Sequence, residues 1–536
     1  MKRSVSQAVT VVPAILFAMI LGQSTPAHAI PAFARAYNTS CSTCHIDFPK
    51  LNDFGKAFKD AGFKFPKDDE AMIKIPPVML GAPAQKEQFP KTIWPGTIPG
   101  MPPIGLRMNS FFQVTGRNAN RFLNVPEPGT TSPADPGYTP RTDFQSGLFS
   151  IFTAGNFGSD IAFWVDEDFS VGGDNTAGGL GDGYLKFVNV GRFLHLPKDA
   201  LSLRVGQFEL DLPFSPARSW NISGWDIFDQ ANIGAMNSML PQQNVNNAFA
   251  LSNGMQGVEL SGGHHYGGYF YSLAVVNQNT GGPVNGGTFV PPAVTYTSDS
   301  NFKDIYASFQ YRFNLERDKE SRNAIQAAGP MGPRNHTYLS LGSFYFYGRS
   351  VQRFNGATPA PTSNPALLTA REPFYRVGAD FSFNYRDFNL FGVWMYGRDH
   401  NLVPIDDTGT PFPATPVGFI PGVPATFSGG FLQADYPIYP WMMLIMRYDA
   451  VNSHADFLNG LAGNTSSPFF GQTSDTRNRF TPGVQFLIHA NIKTSFEYQI
   501  RPKQQIVNGL DPVTGAAVSL PPARTNAAVV ALEYVY

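Results

Sequence analysis

The sequence predicts a mainly β fold, in which a transmembrane outer-membrane β-barrel of about 16 strands follows a small α-helical N-terminal domain. Of the 536 residues, 15% are charged, 14% are aromatic and 52 are glycine, whereas typical domains carry about 25% charged residues. Alternation of apolar and polar residues recurs from about Arg107 to Tyr536. Few charges, many aromatic residues and alternation without long apolar runs are typical of barrels that face lipid on one side and water on the other.

The composition excludes several other classes of protein. A disordered chain is richer in charge and poorer in aromatic residues. A helical membrane protein needs apolar runs of about 18 residues, and the chain after residue 29 has none. The 39 basic and 40 acidic residues nearly balance, which predicts that the protein binds no nucleic acid.

Residues 1–29 have the pattern of a secretory signal peptide. Lys2 and Arg3 form the basic start, Val11 to Leu21 is apolar, and Ala27-His28-Ala29 supplies the small residues of a cleavage site. The apolar stretch is too short to span a bilayer as a helix. The pattern predicts export, and an uncleaved anchor is the alternative.

The two cysteines lie in one motif, Cys41-Ser42-Thr43-Cys44-His45. The pattern C-x-x-C-H is the attachment sequence for a c-type haem. On a helical turn both thiols are positioned to bond the haem vinyl groups, with the imidazole of His45 next to Cys44. We therefore predict one covalent haem, held by Cys41 and Cys44, with His45 as proximal iron ligand. A structural disulfide and a thioredoxin-like redox pair are the alternatives.

An amphipathic helix is predicted directly after the motif. Its apolar stripe has spacings of 3, 4 and 3 residues, Pro49 suits its first turn, and Gly62 suits its end. The opposite face is charged and is expected to be solvated, with docking of a redox partner as the alternative. The stripe is Leu51, Phe54, Phe58 and Ala61, and the charged face is Lys50, Asp53, Lys56, Lys59 and Asp60.

The distal haem ligand is less well defined by the sequence. A downstream methionine commonly completes the axial pair in small c-type cytochromes, and the candidates are Met72, Met79, Met101 and Met108. Met72 and Met79 are preferred because prolines around them favour a loop that returns over the haem. A histidine from elsewhere and an open position are the alternatives. The predicted cytochrome c domain covers residues 30–100.

Residues 104–536 are predicted to form the barrel. In Ile305 to Phe313 the residues Ala307, Phe309 and Tyr311 alternate with Ser308, Gln310 and Arg312, which places the two sets on opposite faces of a sheet. The chain ends on the alternating residues Val530, Leu532, Tyr534 and Tyr536. Sixteen such segments are predicted to start near residues 105, 144, 157, 182, 201, 247, 265, 301, 337, 372, 387, 426, 440, 477, 489 and 524.

Connection lengths favour a barrel over the alternative of a soluble sandwich. The predicted gaps alternate between long and short, as in outer-membrane barrels with short periplasmic turns and longer outer loops. The gap from Asn314 to Asn335 breaks the alternation, and either a periplasmic helix or a shifted strand count explains it. Asp166-Glu167-Asp168 falls at an outer strand end and is either a solubilising edge or an attractor of cations. Four histidines fall near the predicted periplasmic turns: His195, His264, His265 and His489.

The N-terminal region also resembles a known family. Pro31 to Tyr37, the Cys41 to His45 motif and Phe48 to Phe58 are similar to the opening of the outer-membrane cytochrome–porin fusions, which include the iron(II)-oxidising outer-membrane cytochrome. The resemblance is specific over Ile30 to Lys67 and architectural over the barrel. It implies a monohaem cytochrome at or within the periplasmic mouth of the barrel, with Cys41 and Cys44 as haem anchors and His45 as proximal ligand.

The function predicted from these features is electron transfer across the outer membrane through one c-type haem. The expected donor is extracellular iron(II) or a similar one-electron donor, and the expected partner is a periplasmic c-type cytochrome or other redox carrier. One alternative is a substrate-selective porin in which the haem domain is a plug or sensor. Another is a haem peroxidase or ligand sensor with an open sixth position.

Overall fold

The structure is a computed structural model of the chain. It describes residues 32–47, 50–65, 69–90, 96–98, 100, 104–115, 141–157, 160–170, 179–215, 221–230, 251, 254–277, 302–315, 337–354, 368–400, 402–405, 407–409, 418–421, 424–453, 476–489, 491–500, 509–510, 517–518 and 526–536. The predicted signal peptide and Met101 lie outside these residues.

Sixteen antiparallel strands of the described chain form one closed barrel. The first strand pairs with the last, with Phe112 opposite Val530, so the sheet has no free edge. The strands are β1 Ile104–Thr115, β2 Arg141–Phe157, β3 Ile161–Ser170, β4 Gly179–Phe187, β5 Ser202–Phe208, β6 Met255–Gly263, β7 Gly268–Val276, β8 Asp304–Asn314, β9 Tyr338–Phe354, β10 Leu368–Tyr385, β11 Phe388–Asp399, β12 Ala425–Tyr439, β13 Met442–Ser453, β14 Thr476–His489, β15 Ile492–Gln499 and β16 Ala527–Val535.

This barrel confirms the predicted mainly β architecture of sixteen strands. The sandwich alternative is wrong because a single sheet closes on itself. Fifteen strands start within about four residues of the predicted positions, which is the accuracy expected of strand boundaries. The exception is β6, which begins at Met255 instead of 247. Leu251, which lies in the alternating pattern before it, is fully buried in an apolar cluster.

The two faces of the barrel wall differ in the way that the alternation predicts. On β8, Phe309, Tyr311 and Phe313 are 51%, 41% and 46% exposed, whereas Arg312 is buried. Apolar side chains therefore point outward and charged ones point into the lumen. The same inversion occurs on β15, where Tyr498 is exposed and Glu497 is buried. This arrangement is the reverse of that in a soluble protein.

The connections also alternate in length. Short connections at one end of the barrel include Arg386-Asp387 between β10 and β11, and longer ones join the strands at the other end. We call these the short-turn end and the long-loop end. The gap from Asn314 to Asn335 joins β8 and β9 at the short-turn end, so the strand count had not shifted; the helix predicted for it lies outside the described residues. Exposed aromatic residues ring the short-turn end: Phe157, Tyr269, Phe313, Tyr385, Tyr439, Trp441 and Tyr536.

The residues before the barrel form a small module, which we define as the described residues from 32 to 98. Its helices are α1 Ala32–Tyr37, α2 Asp53–Asp60, α3 Asp69–Met72 and α4 Pro83–Gln88. Two short hairpins pair His45–Asp47 with Lys50–Leu51 and Val78–Met79 with Thr97–Ile98. A further helix, α5 Asp226–Gln230, lies in the connection between β5 and β6. Among the helices that the structure describes, none has the length and apolarity needed to span a lipid bilayer.

The predicted helix after the cysteine motif is present as α2, but it starts later. It begins at Asp53, because Asn52 is the N-cap, whose side chain accepts a hydrogen bond from the Gly55 amide. Leu51 lies in the preceding short strand instead of the helix. Gly62 follows the helix with a φ of 77°, a conformation that favours glycine, so the predicted stop is confirmed.

The module packs against the inside of the barrel through an aromatic core. Phe33 lies 5.0 Å from Phe58 between ring centroids, and Phe63 lies 5.8 Å from Trp164 of β3. Gly62 is in close contact with the same wall, because a Cβ there would lie 2.7 Å from a methyl of Val188. The module and the barrel therefore share one apolar cluster near the short-turn end.

A second segment fills the lumen from the other end. We call residues 209–215 and 221–230 the lumen loop. Trp225 of this loop stacks on Phe431 of β12 at 4.6 Å between ring centroids, and its indole nitrogen donates to Gln433. Leu210, Leu212 and Phe228 are buried in the same cluster. The lumen is thus occupied by protein from both ends.

Candidate functional site

The cysteine motif adopts the local geometry that the spacing predicts. Cys41–Thr43 form one turn of 3₁₀ helix, and the Cys44 amide donates to the Cys41 carbonyl at 3.2 Å. Cys41 and Cys44 are free thiols at the two ends of this turn, and both are half-buried. His45 leaves the helical conformation and begins the short strand opposite Leu51.

Asn52 and Gly55 hold this turn against α2. The Asn52 side-chain nitrogen donates to the Thr43 carbonyl at 3.0 Å, and the Asn52 amide donates to the Cys44 carbonyl at 2.9 Å. A Cβ on Gly55 would lie 2.1 Å from that carbonyl oxygen, so only glycine permits the close approach. Neither residue is among the candidates predicted from the sequence, although an asparagine just before a predicted helix is a cap signal.

Burial raises the pKa of the Cys41 thiol. Burial, with the neighbouring Cys41, raises the pKa of Cys44 to about 12. Thiol–disulfide exchange requires the thiolate, so these neutral thiols disfavour the thioredoxin-like alternative. Two unpaired thiols at i and i+3 followed by an imidazole are the donor set that a c-type haem requires, and the residues fit that group.

The two preferred distal candidates occupy different positions in the module. Met72 is the last residue of α3, and the next residue, Ile73, packs on the aromatic core of the module. The Lys74 amide then donates to the Ala36 carbonyl of α1 at 2.8 Å. Met79 lies in the outlying hairpin, and both methionine side chains are exposed. Met108 lies in β1, outside the module, and its side chain is also exposed.

The charged face of α2 docks on the lumen wall. Both nitrogens of the Arg312 fork donate to the Asp53 carboxylate at 2.6 Å, and Lys50 donates to Asn389 and Asp435 at 2.9 and 3.0 Å. The expectation that this face is solvated is therefore wrong. Its charges meet complementary charges of the barrel interior instead of bulk water.

His265 joins the C-terminal end of α2 to the barrel and to the lumen loop. Its Nδ1 lies 2.7 Å from an Asp60 oxygen, and its Nε2 lies 3.3 Å from an Asp211 oxygen. Its backbone amide also donates to Asp60 at 3.0 Å. Burial alone would lower the pKa of His265, but the two carboxylates raise it to about 9. The imidazole is therefore a cation at neutral pH.

Further contacts attach the module around the same mouth of the barrel. Arg35 of α1 donates to the Ile104 carbonyl at the start of β1 at 2.6 Å and lies over the Tyr536 ring. Asn156 of β2 donates to the Phe63 carbonyl at 3.2 Å. At the short-turn end the module thus contacts β1, β2 and Tyr536, the residue that follows β16.

The other histidines and the acidic run lie where the sequence places them. His195, His264 and His489 lie at or next to short-turn connections. Asp166 accepts a hydrogen bond from the Asp182 backbone amide, so it supports the neighbouring strand. The side chain of Asp168 lies outside the described residues. Within the described part of the chain, no group of three or more His, Cys, Asp or Glu side chains is arranged to hold a metal ion.

A cavity of about 260 Å³ lies between the module, the lumen loop and the wall. The α2 side contributes Asp53, Lys56 and Lys59, the lumen loop contributes Asp211, and the wall contributes Asp380 among others. Both polar and aromatic side chains line it, including Gln310, Ser340, Phe391 and Trp225.

Comparisons with known proteins bear only on the barrel. No protein-family model matches the chain, and no curated protein matches it. An anion-selective porin from Comamonas acidovorans is similar at a TM-score of 0.44 and 11% identity, over 81% of this chain and 98% of that one. OprB of Pseudomonas putida, in its high-pH structure, is similar at a TM-score of 0.44 and 10% identity, over 81% and 94%. OmpF of Salmonella typhi, in complex with daunomycin, is similar at a TM-score of 0.42 and 11% identity, over 81% and 97%.

Proposed function

We propose that the protein lies in the bacterial outer membrane and transfers electrons across it through one c-type haem attached to Cys41 and Cys44. The observation that carries the proposal is the position of the motif. The only C-x-x-C-H sequence of the chain belongs to a module docked within one mouth of a closed barrel. The resemblance of residues 30–67 to the cytochrome–porin fusions supports the same conclusion.

The barrel surface supports the proposed location. Apolar side chains such as Leu273 and Val275 of β7 are exposed on the outside, whereas Ser272 and Ala274, which alternate with them, are buried inside. Apolar side chains exposed around a barrel indicate a surface that faces lipid instead of water. The aromatic ring at the short-turn end suits a membrane interface, and we assign that end to the periplasm.

The chain's own residues have distinct roles in this proposal. Cys41 and Cys44 would hold the haem through thioethers, and His45 would ligate the iron from one side. A bound haem supplies a one-electron couple whose potential depends on axial ligands, burial and hydrogen bonds. Asn52 and Gly55 fix the turn, and the ion pairs of α2 fix the module in the barrel.

The proposed electron donor and electron acceptor are assigned to opposite ends of the barrel. Extracellular iron(II), a soluble one-electron donor that reaches the protein from the long-loop end, is the donor we propose. The module faces the short-turn end, where a periplasmic c-type cytochrome is the proposed acceptor.

Reconstitution in liposomes tests this function. We expect the wild-type protein to pass electrons from external iron(II) to a soluble cytochrome trapped inside. His45→Ala should abolish that transfer, and His489→Ala, a matched histidine at another turn, should leave it unchanged. Equal rates for wild type and His45→Ala would contradict the proposal.

Carbon monoxide binding tests the distal ligand. If Met72 completes the axial pair, reduced wild type and Met79→Ala should show no spectral shift with carbon monoxide, and Met72→Ala should show one. A shift in Met79→Ala but not in Met72→Ala would assign Met79 as the distal ligand. A shift in the wild type indicates an open position and favours the peroxidase or sensor alternative.

A substrate-selective porin with a plug is the second candidate function. The charged lumen wall favours it, because Arg447, Asp449 and Arg479 form an ion-pair network on the inner face of the wall. The same liposomes separate the two functions. Release of trapped sugars without iron(II) oxidation favours the porin, and iron(II) oxidation without sugar release favours the electron conduit.

A further inference from the structure

Asp380 is a buried carboxylate in the lumen wall without a full set of partners. Its side chain belongs to β10 and lines the cavity between the module and the wall. The residue is 9% exposed, and its Oδ1 has no hydrogen-bond partner among the described residues. A buried ionised carboxylate is costly unless a cation or hydrogen-bond donors compensate it.

The neighbouring strand leaves space for this carboxylate. Gly342 of β9 lies directly opposite Asp380, and a Cβ at Gly342 would lie 2.3 Å from its Oδ2. The carboxylate therefore lies over the glycine backbone. Any larger residue at 342 would displace it from the wall of the cavity.

Other side chains with oxygen atoms line the same cavity. Gln310 of β8 pairs with Gly342 from the other side, and it lines the cavity. Ser340, also in the lining, has a hydroxyl with no partner in the described structure. Asp211 of the lumen loop is close enough to interact electrostatically with Asp380. Carboxylate, amide and hydroxyl oxygens are ligands that hard cations prefer.

The basic residues of the cavity are engaged elsewhere. Arg312 is bonded to Asp53, and Lys56 lies 3.7 Å from the same carboxylate. Lys50 is bonded to Asp435. Lys59 interacts electrostatically with Asp211. None of these pairs compensates Asp380.

We propose that Asp380 anchors a weak site for a hydrated divalent cation, with Ser340, Gln310 and Asp211 as further oxygen donors. The site differs from a closed metal centre because it has only two carboxylates. A cavity of about 260 Å³ accommodates a cation that keeps several of its waters, each of which occupies about 30 Å³. The site is separate from the haem motif and does not depend on the proposed electron transfer.

Manganese(II) binding, followed by electron paramagnetic resonance on the purified full-length protein in detergent, tests the proposal. The wild type should bind one Mn²⁺ with a dissociation constant of about 10⁻⁴ to 10⁻³ M, the range of weak oxygen-ligand sites. Asp380→Asn should weaken binding by about tenfold or more. Asp407→Asn, the same change in an exposed turn, should bind as the wild type does.

Thermal unfolding gives an independent measurement on the same variants. Without cation, Asp380→Asn should be at least as stable as the wild type, because it removes a buried charge. Mn²⁺ should raise the melting temperature of the wild type and of Asp407→Asn but not of Asp380→Asn. Ser340→Ala, which retains the carboxylate, should bind with intermediate affinity.

Equal Mn²⁺ binding by wild type and Asp380→Asn, or none by the wild type, would overturn the proposal. The haem content of Asp380→Asn, measured by absorbance, should equal that of the wild type, which would separate loss of the cation site from loss of the haem.

Discussion

His265 connects three parts of the chain through its ring and its backbone. Asp60 belongs to the module, Asp211 belongs to the lumen loop, and His265 itself lies in the turn between β6 and β7. Burial alone would raise the pKa of Asp60, but the His265 imidazolium lowers it to about 2. One charged imidazole therefore helps to hold two separate segments in the lumen.

This junction predicts a specific pH dependence of stability. The pKa of His265 is raised from 6.5 to about 9, so its contribution is complete below about pH 6.5 and is lost as the pH rises through about 9. The pKa of Asp60 is lowered from 3.8 to about 2, so its contribution is lost only as the pH falls through about 2. We expect His265→Asn to lower the free energy of unfolding by about 1–3 kcal/mol at pH 6 and by almost nothing above pH 9. Thermal unfolding measures both values.

His195→Asn is the matched control for this prediction. His195 is exposed in another short-turn connection and has a φ of 57°, which asparagine tolerates. The stability of the His195→Asn protein should follow that of the wild type at every pH. A loss in His265→Asn that stays constant from pH 6 to pH 10 would contradict the role given to the charged imidazole.

At the residue scale, the roles of residues that are adjacent in the sequence could be predicted. The roles of residues whose partners are distant in the sequence could not. Cys41, Cys44 and His45 are adjacent, so their spacing alone predicts their role, and the structure confirms the turn but does not test the haem. His265 was noted only for its position near a turn. Its partner Asp60 is 205 residues away, and no sequence pattern brings the two together.

At the element scale, α2 serves as the docking helix of the module. Its apolar side packs on the aromatic core, and Asp53 on its charged side meets Arg312 of the wall. Lys50, in the short strand just before the helix, meets Asp435. The helix was predicted from its apolar spacing. The prediction of a solvated charged face failed because amphipathicity shows which side is polar, not whether that side meets water or a polar protein wall.

The pair of Asp53 and Arg312 is expected to be the strongest docking contact of α2. Both side chains are buried, at 8% and 2% exposure, and removing one partner of a buried pair costs about 3–5 kcal/mol. Asp53→Arg should therefore release the module, measured as faster limited proteolysis of residues 32–98. Combining it with Arg312→Asp should restore much of the protection, as a double-mutant cycle shows.

The exposed pair of Arg192 and Asp160 provides the control for this exchange. Its side chains are 48% and 34% exposed, so swapping their charges should change stability by less than about 1 kcal/mol. If Asp53→Arg left the protease sensitivity of the module unchanged, α2 would not be its anchor.

At the scale of the whole molecule, the period-2 alternation was enough to predict a closed barrel and most strand positions. It did not predict the lumen loop, because Trp225 and Phe228 have no alternating neighbours that indicate where they pack. Their partners, Phe391 and Phe431, lie on strands far along the chain. A pattern in the sequence shows which face of a strand is apolar but does not show what fills the interior.

The outer face of the barrel gives a prediction for insertion into lipid. Leu273 lies in the middle of β7 and points outward at 45% exposure. Leu273→Arg should destabilise the protein folded in lipid vesicles by about 2–4 kcal/mol, the cost of a cation on the lipid face near the bilayer midplane. Asp407→Arg in an exposed turn should have little effect. Equal folding yields for the two variants in vesicles would contradict the membrane assignment.

Covalent haem attachment tests the central claim most directly. The full-length protein should be produced in a bacterial strain that attaches c-type haems, then denatured and separated on a gel. We expect haem-dependent peroxidase staining at the position of the wild-type polypeptide and none for the Cys41→Ser, Cys44→Ser double variant, with both proteins present in equal amounts. A wild-type polypeptide that carries no covalent haem, or a double variant that stains equally, would contradict the account.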